Sequence, residues 1–143
     1  MAEIYFSLDI DNGWPPVAIE CMDCIPVDGG FQIRVPPFFL KNLSVGDVIE
    51  VTRDEHANVV AWKHKIRSRR STIWIMLFGS RSIESALDCL KSMQCNIERF
   101  VEYKLFSIDI PAECSLDEVD ACLAGIEAED VAIVYPSLRH EAD

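Results

Sequence analysis

The chain is short of positive charge: it holds 13 Lys and Arg against 24 Asp and Glu in 143 residues, a formal charge of −11. A surface this acidic excludes nonspecific binding to nucleic acid or to an anionic membrane, both of which need net positive charge. Long apolar runs are missing as well. Ile73 to Phe78 is among the longest, far short of the roughly 20 residues of a spanning helix. No basic segment followed by an apolar one opens the sequence at Met1-Ala2-Glu3-Ile4-Tyr5-Phe6, so no secretory signal is expected and the cytoplasm is the expected compartment. Glycine is scarce, with 6 residues, and none forms a phosphate-cradling loop or a nucleophile elbow. No repeat of fixed period and no low-complexity stretch is present.

What remains is an ordinary globular composition, 50% hydrophobic and 26% charged, at a length that builds one domain or two small packed halves. Six cysteines are present: Cys21, Cys24, Cys89, Cys95, Cys114 and Cys122. In a reducing compartment they read mainly as small buried apolar residues. Cys21 and Cys24 form a CxxC, but no second close pair completes four zinc ligands, and the stretch is strand-like rather than a helix start. No metal or cofactor is expected.

The periodicity divides the chain near residue 68. In residues 1–68, Ile4, Phe6, Leu8 and Ile10 alternate, then Val17, Ile19 and Cys21, then Phe31, Ile33 and Val35 after Asp28-Gly29-Gly30. Pro36-Pro37 breaks the ladder, and Phe38-Phe39-Leu40 forms an apolar plug. Val48 to Thr52 and Val59 to Ile66 complete five short strands, which predict a small antiparallel sheet or partial barrel. Residues 69–143 read differently. Ile73 to Phe78 suits a central strand. Ile83, Ala86, Leu87, Leu90 and Met93 have helical spacing, with Ser82 as N-cap. Ile97 to Tyr103 and Leu105 to Ile110 read as strands. Ser115 to Glu118 reads as a capping box ahead of the stripe Leu116, Val119, Leu123 and Ile126, and Val131 to Tyr135 is a last strand. The order β-α-β-β-α-β is ferredoxin-like. The expected fold is α+β, a β-rich half packed on a ferredoxin-like half as one compact unit, since no Gly/Pro linker separates them.

Four motifs occur in order: Gly13-Trp14-Pro15-Pro16-Val17, Pro37-Phe38-Phe39, Val45-Gly46-Asp47-Val48 and Arg70-Ser71-Thr72-Ile73. On these the chain resembles the bacterial domain-of-unknown-function family 4265 over nearly its whole length. Arg70 departs from the small residue or His usual there. The resemblance implies a shared scaffold and no activity, so function has to be argued from a site.

Two charge patterns offer one. Trp62 to Arg70 holds five basic residues and no acid; on a continuing strand Lys63, Lys65, Arg67 and Arg69, with Arg70 following, would make an anion-binding stripe. The plainer reading is a solvated face that protects a sheet edge. From Arg81 to Asp143 there are 14 acidic and 5 basic residues. Asp117, Glu118, Asp120, Glu127, Glu129 and Asp130 cluster on and after the second helix. Asp117 and Glu118 complement the helix dipole; the later acids sit at the wrong end for that.

The expected function is a non-catalytic acidic protein-binding module. Its sharpest form is an immunity protein that occludes the cleft of a basic toxin domain, with an exposed Trp (Trp14, Trp62 or Trp74) as anchor. The alternative is a small-ligand regulatory domain binding an anion at Gly79-Ser80-Arg81-Ser82, ahead of a helix. An enzyme using Ser71 or Thr72 beside the basic run ranks last, because no general base is placed.

Overall fold

The computed structural model describes residues 1–126 and 129–140. Five strands, β1 (Ala2–Ser7), β2 (Ile19–Val27), β3 (Gly30–Ile33), β4 (Val48–Arg53) and β5 (Val59–Ile66), close into a barrel in sequence order. Neighbours pair antiparallel, and a parallel bridge between Phe6 and Val59 closes the ring. The interior holds Ile4, Phe6, Met22, Cys24, Ile33, Leu43, Ile49 and Val59. Gly30 is required where β3 crosses β4, because a Cβ there would sit 2.2 Å from the Ile49 carbonyl oxygen.

One face assignment is corrected. Ile19 and Cys21 point outward, and Glu20, Met22 and Cys24 point in. Antiparallel partners share a face, and Phe6 lies opposite Glu20 and Ile4 opposite Met22. The interior position that falls to Glu20 hides the true phase from the hydrophobic pattern. The three-residue spacing of the CxxC puts its thiols on opposite faces of the strand: Cys21 is exposed and Cys24 buried.

The second half runs β6 (Ser71–Leu77), α1 (Glu84–Ser92), β7 (Asn96–Phe100), β8 (Leu105–Ile110), α2 (Leu116–Ala124) and β9 (Val131–Ser137). The antiparallel sheet has the order β7-β8-β6-β9. Ile73, Ile75, Ile108 and Ile110 face the helices, where Leu87, Leu90, Val119 and Leu123 cover them. The intervening residues Thr72, Trp74, Ser107 and Asp109 face the barrel half.

Local details differ from the expectations. β7 stops at Phe100, because Val101–Tyr103 forms a 3-10 turn closed by Lys104 at φ 53°. Ile83, not Ser82, is the N-cap of α1, although Ser82 Oγ still accepts the Glu84 amide at 3.4 Å. Ser115 caps α2 through the Asp117 amide at 3.2 Å, one residue earlier than a capping box requires. Cys89 and Cys122 form a disulfide between α1 and α2, which corrects the reading of the cysteines as mainly small buried apolar residues for this pair. Two cysteines on facing stripes of adjacent helices carry no sign of their pairing in spacing alone.

Candidate functional site

The acidic residues are on the outer surface of the helix layer. Asp117, Glu118 and Asp120 are exposed on α2, and Glu129 is exposed beyond it. Asp120 accepts a hydrogen bond from the Tyr135 hydroxyl at 3.1 Å. Asp130 differs: it pairs with Arg81 at 3.1 Å. Glu127 lies outside the described residues. α2 itself carries no basic residue. Among the described residues Asp117, Glu118 and Glu129 have no ion-pair partner. The exposed Asp88 of α1 extends the negative surface, with Lys91 as the helix's single cation.

The basic stripe is partly engaged within the fold. β5 ends at Ile66, so the alternation that would align Arg67 and Arg69 with Lys63 and Lys65 stops there. Lys63 pairs with Glu50 at 3.1 Å, Arg67 reaches Asn42, and Arg69 is exposed. Arg70 turns inward and grips the buried Asp109 with two bonds, of 2.9 and 2.6 Å. Asn96 donates to the same carboxylate at 2.8 Å. Arg70 thus holds β6 to β8 rather than offering charge to a ligand. The Gly79 to Ser82 loop is equally unsuited to an anion. Asp130 lies against it, and Glu84 occupies the first turn of α1.

Two of the sequence motifs, those of Asp47 and of Ser71-Thr72, meet in a polar seam between the halves. Asp47, fully buried, accepts from the Ser44 and Ser68 amides, from His64 Nε2 at 2.9 Å and from both terminal nitrogens of Arg139. Burial pushes its carboxyl up, but the Arg139 guanidinium, the two amides and His64 together hold it below the ordinary value. Ser71 Oγ lies 2.6 Å from His140 Nδ1, and His140 Nε2 lies 2.7 Å from the Pro111 carbonyl oxygen. A carbonyl only accepts, so Nε2 carries the proton and Nδ1 accepts from the Ser71 hydroxyl. Ser71 Oγ also accepts the Arg139 and His140 amides. Ser71 and Thr72 are both fully buried, and Thr72 Oγ1 donates to the Leu43 carbonyl at 3.4 Å. The Ser–His contact therefore ties the C-terminal segment to β6.

The remaining motif residues build an aromatic ridge. Ring centroids step from Trp14 to Phe39 (5.7 Å), Phe39 to Phe100 (6.1 Å) and Phe100 to Tyr103 (4.9 Å), with Phe38 5.5 Å from Phe100. The Phe38-Phe39 loop is fixed from both sides. Pro37's carbonyl accepts from Trp74 Nε1 at 2.7 Å and Ser107 Oγ at 2.6 Å, and Glu20 accepts the Phe38 and Phe39 amides. Burial drives the Glu20 carboxyl up to about 7, against the two amide bonds that lower it. Of the anchor candidates, Trp74 is buried and thereby removed, whereas Trp14 is 44% exposed. The ridge and the acidic helices lie on opposite faces of the sheet: Arg99 reaches Glu84 of α1, and its neighbour Phe100 points to the ridge. No local pattern announces this ridge, because its rings come from positions 14, 39 and 100.

An open cleft of about 750 Å³ lies elsewhere on the barrel, beside Phe31, Trp62 and the Glu50–Lys63 pair. Among the described residues no group of three or more His, Cys, Asp or Glu is placed to hold a metal ion, and no helix is long and apolar enough to cross a membrane.

The model of the family described as Domain of unknown function (DUF4265) matches residues 24–133. A solved structure titled as a novel crystal structure of a hypothetical protein from Neisseria gonorrhoeae is similar at a TM-score of 0.76 and 19% identity, covering 99% of each chain. That likeness speaks for the fold alone. None of the curated proteins matches.

Proposed function

The chain belongs to the DUF4265 family, and we propose that it is a non-catalytic, acidic protein-binding module. In its sharpest form it is an immunity protein that neutralises a basic toxin domain by occluding its active cleft. The observation that carries this reading is the exposed, cation-free surface of α2, where Asp117 and Glu118 lack ion-pair partners among the described residues. Beyond the helix dipole that Asp117 and Glu118 complement, unpaired surface carboxylates contribute little to folding and repel one another. Opposite a basic partner they speed encounter and select against wrong partners. Domains that act on nucleic acid present basic clefts for phosphate, and an acidic globule is their physical complement.

The test is affinity capture from source-cell lysate at low and high salt, with the natural chain and with Asp117→Lys/Glu118→Lys/Asp120→Lys as baits. The expected result is a stoichiometric basic partner, held by the natural chain at low salt and released by high salt or by the charge reversal. The purified chain then inhibits that partner's activity. A partner that binds both baits with equal salt dependence would refute the acidic helix as the contact.

A further inference from the structure

We infer that the aromatic ridge of Trp14, Phe39, Phe100 and Tyr103 is a second contact surface, one that takes arginine side chains of a basic protein partner. The inference rests on the reading of a basic partner and adds a binding site on the opposite face of the sheet.

The ridge has three properties that favour this occupant. Its rings are in contact yet incompletely covered, with Trp14 44% exposed at one end and Val101, beside Phe100, 80% exposed at the other. It is held rigidly. Trp14 closes a tight turn in which it exchanges two backbone bonds with Asp11, of 2.9 and 3.1 Å, and Phe38-Phe39 is fixed through Pro37 and Glu20. A fixed ring loses little entropy on binding. The third property is the charge at its margins. Asp11 lies in the Trp14 turn, Glu98 precedes Phe100 by two residues on the same strand face, and Glu102 sits in the turn between Phe100 and Tyr103. All three are exposed, and among the described residues none has an ion-pair partner. The nearest cation in that turn, Lys104, donates to the Gly79 carbonyl at 3.3 Å.

Aromatic faces bordered by carboxylates match a planar cation. A guanidinium stacks on a ring while its edge donates to an oxygen, which a compact ammonium cannot do equally well. An uncharged proline-rich segment would use the rings but leave the acids idle.

The test titrates the full chain with blocked hexa-arginine, hexa-lysine and deca-proline peptides by calorimetry, following the Trp14 indole N–H by NMR. Hexa-arginine is expected to bind several-fold more tightly than hexa-lysine and to shift the Trp14 signal. Trp14→Ala is expected to weaken it about fivefold. Glu98→Lys/Glu102→Lys, confined to exposed positions, gives the same weakening should the Trp14 variant disturb folding. Equal affinity for the two basic peptides, unchanged affinity in the Glu98/Glu102 variant, or a Trp14 shift from deca-proline alone would overturn the assignment. Reversal of Asp117, Glu118 and Asp120 separates the two readings. A captured partner lost on that reversal but kept by both ridge variants leaves the acidic module standing and removes the ridge. A partner lost with neither set removes both.

Discussion

Asp47 and Glu20 are buried carboxylates that titrate in opposite directions, and each sets one limb of the stability profile. The folded state holds Asp47 below its ordinary 3.8, so its contribution is present above about pH 4 and is lost as pH falls through the lower folded value. Asp47→Asn is expected to remove that acid-side loss and to destabilise the protein by about 3–5 kcal/mol at pH 7, because it strips Arg139 of its buried partner. Glu20 runs the other way. Its folded value is raised from 4.5 to about 7, so the folded state binds the extra proton, and stability falls as pH rises through that window. The loss is about 3 kcal/mol by pH 8. Glu20→Gln is expected to flatten the decline. Urea midpoints measured from pH 3 to 8 on the three proteins check both signs; a Glu20→Gln profile that still declines between pH 4.5 and 7 would assign that slope to another group.

Among the elements, the helix layer was the most legible part of the sequence. Ile83, Ala86, Leu87 and Leu90 fall on one stripe, and Val119, Leu123 and Ile126 on another, and all seven are buried as their period requires. β2 was legible as a strand but not in its phase, because Glu20 occupies an interior position. The seam was not legible at all. Ser71 meets His140 across 69 residues and Asp47 meets Arg139 across 92, and no local pattern encodes such a distance. The acidic surface was legible as composition, and the structure added that Asp130 is paired whereas Asp117 is not. The Cys89–Cys122 bond joins α1 to α2 over a separation of 33 residues, and a loop of that length contributes about 3–4 kcal/mol on the chain-entropy model. Dithiothreitol is therefore expected to lower the denaturation midpoint of the natural protein, with Cys89→Ser/Cys122→Ser unaffected by it and already at the lower value. Identical midpoints with and without reductant would show that the bond contributes no stability.

At the scale of the whole molecule, the two halves meet through few but well-made contacts. Trp74 and Ser107 hold Pro37, Ser44 bonds Ser137, and the Asn42 amide donates to the Pro136 carbonyl. Arg139 is the piece that reaches furthest across. Its guanidinium spans the Asp47 carboxylate, the Ser68 carbonyl and the Asn42 carbonyl, so the C-terminal segment clamps the barrel's β3–β4 loop and the crossing segment after β5. A clamp of this kind couples the unfolding of one half to the other. The natural protein is expected to unfold in a single transition, with tryptophan fluorescence, two of whose three sources (Trp14 and Trp62) lie in the barrel half, and helix circular dichroism coincident. Arg139→Ala leaves Asp47 buried without its guanidinium, at a cost of about 3–5 kcal/mol that falls first on the barrel. The fluorescence transition should then precede the helix transition. Arg139→Lys should restore coincidence only in part, because a single ammonium cannot replace a fork that donates to three groups at once. If all three proteins unfold with superimposed, unshifted transitions, the halves are coupled by the Pro37, Ser44–Ser137 and Asn42–Pro136 contacts and the clamp is incidental.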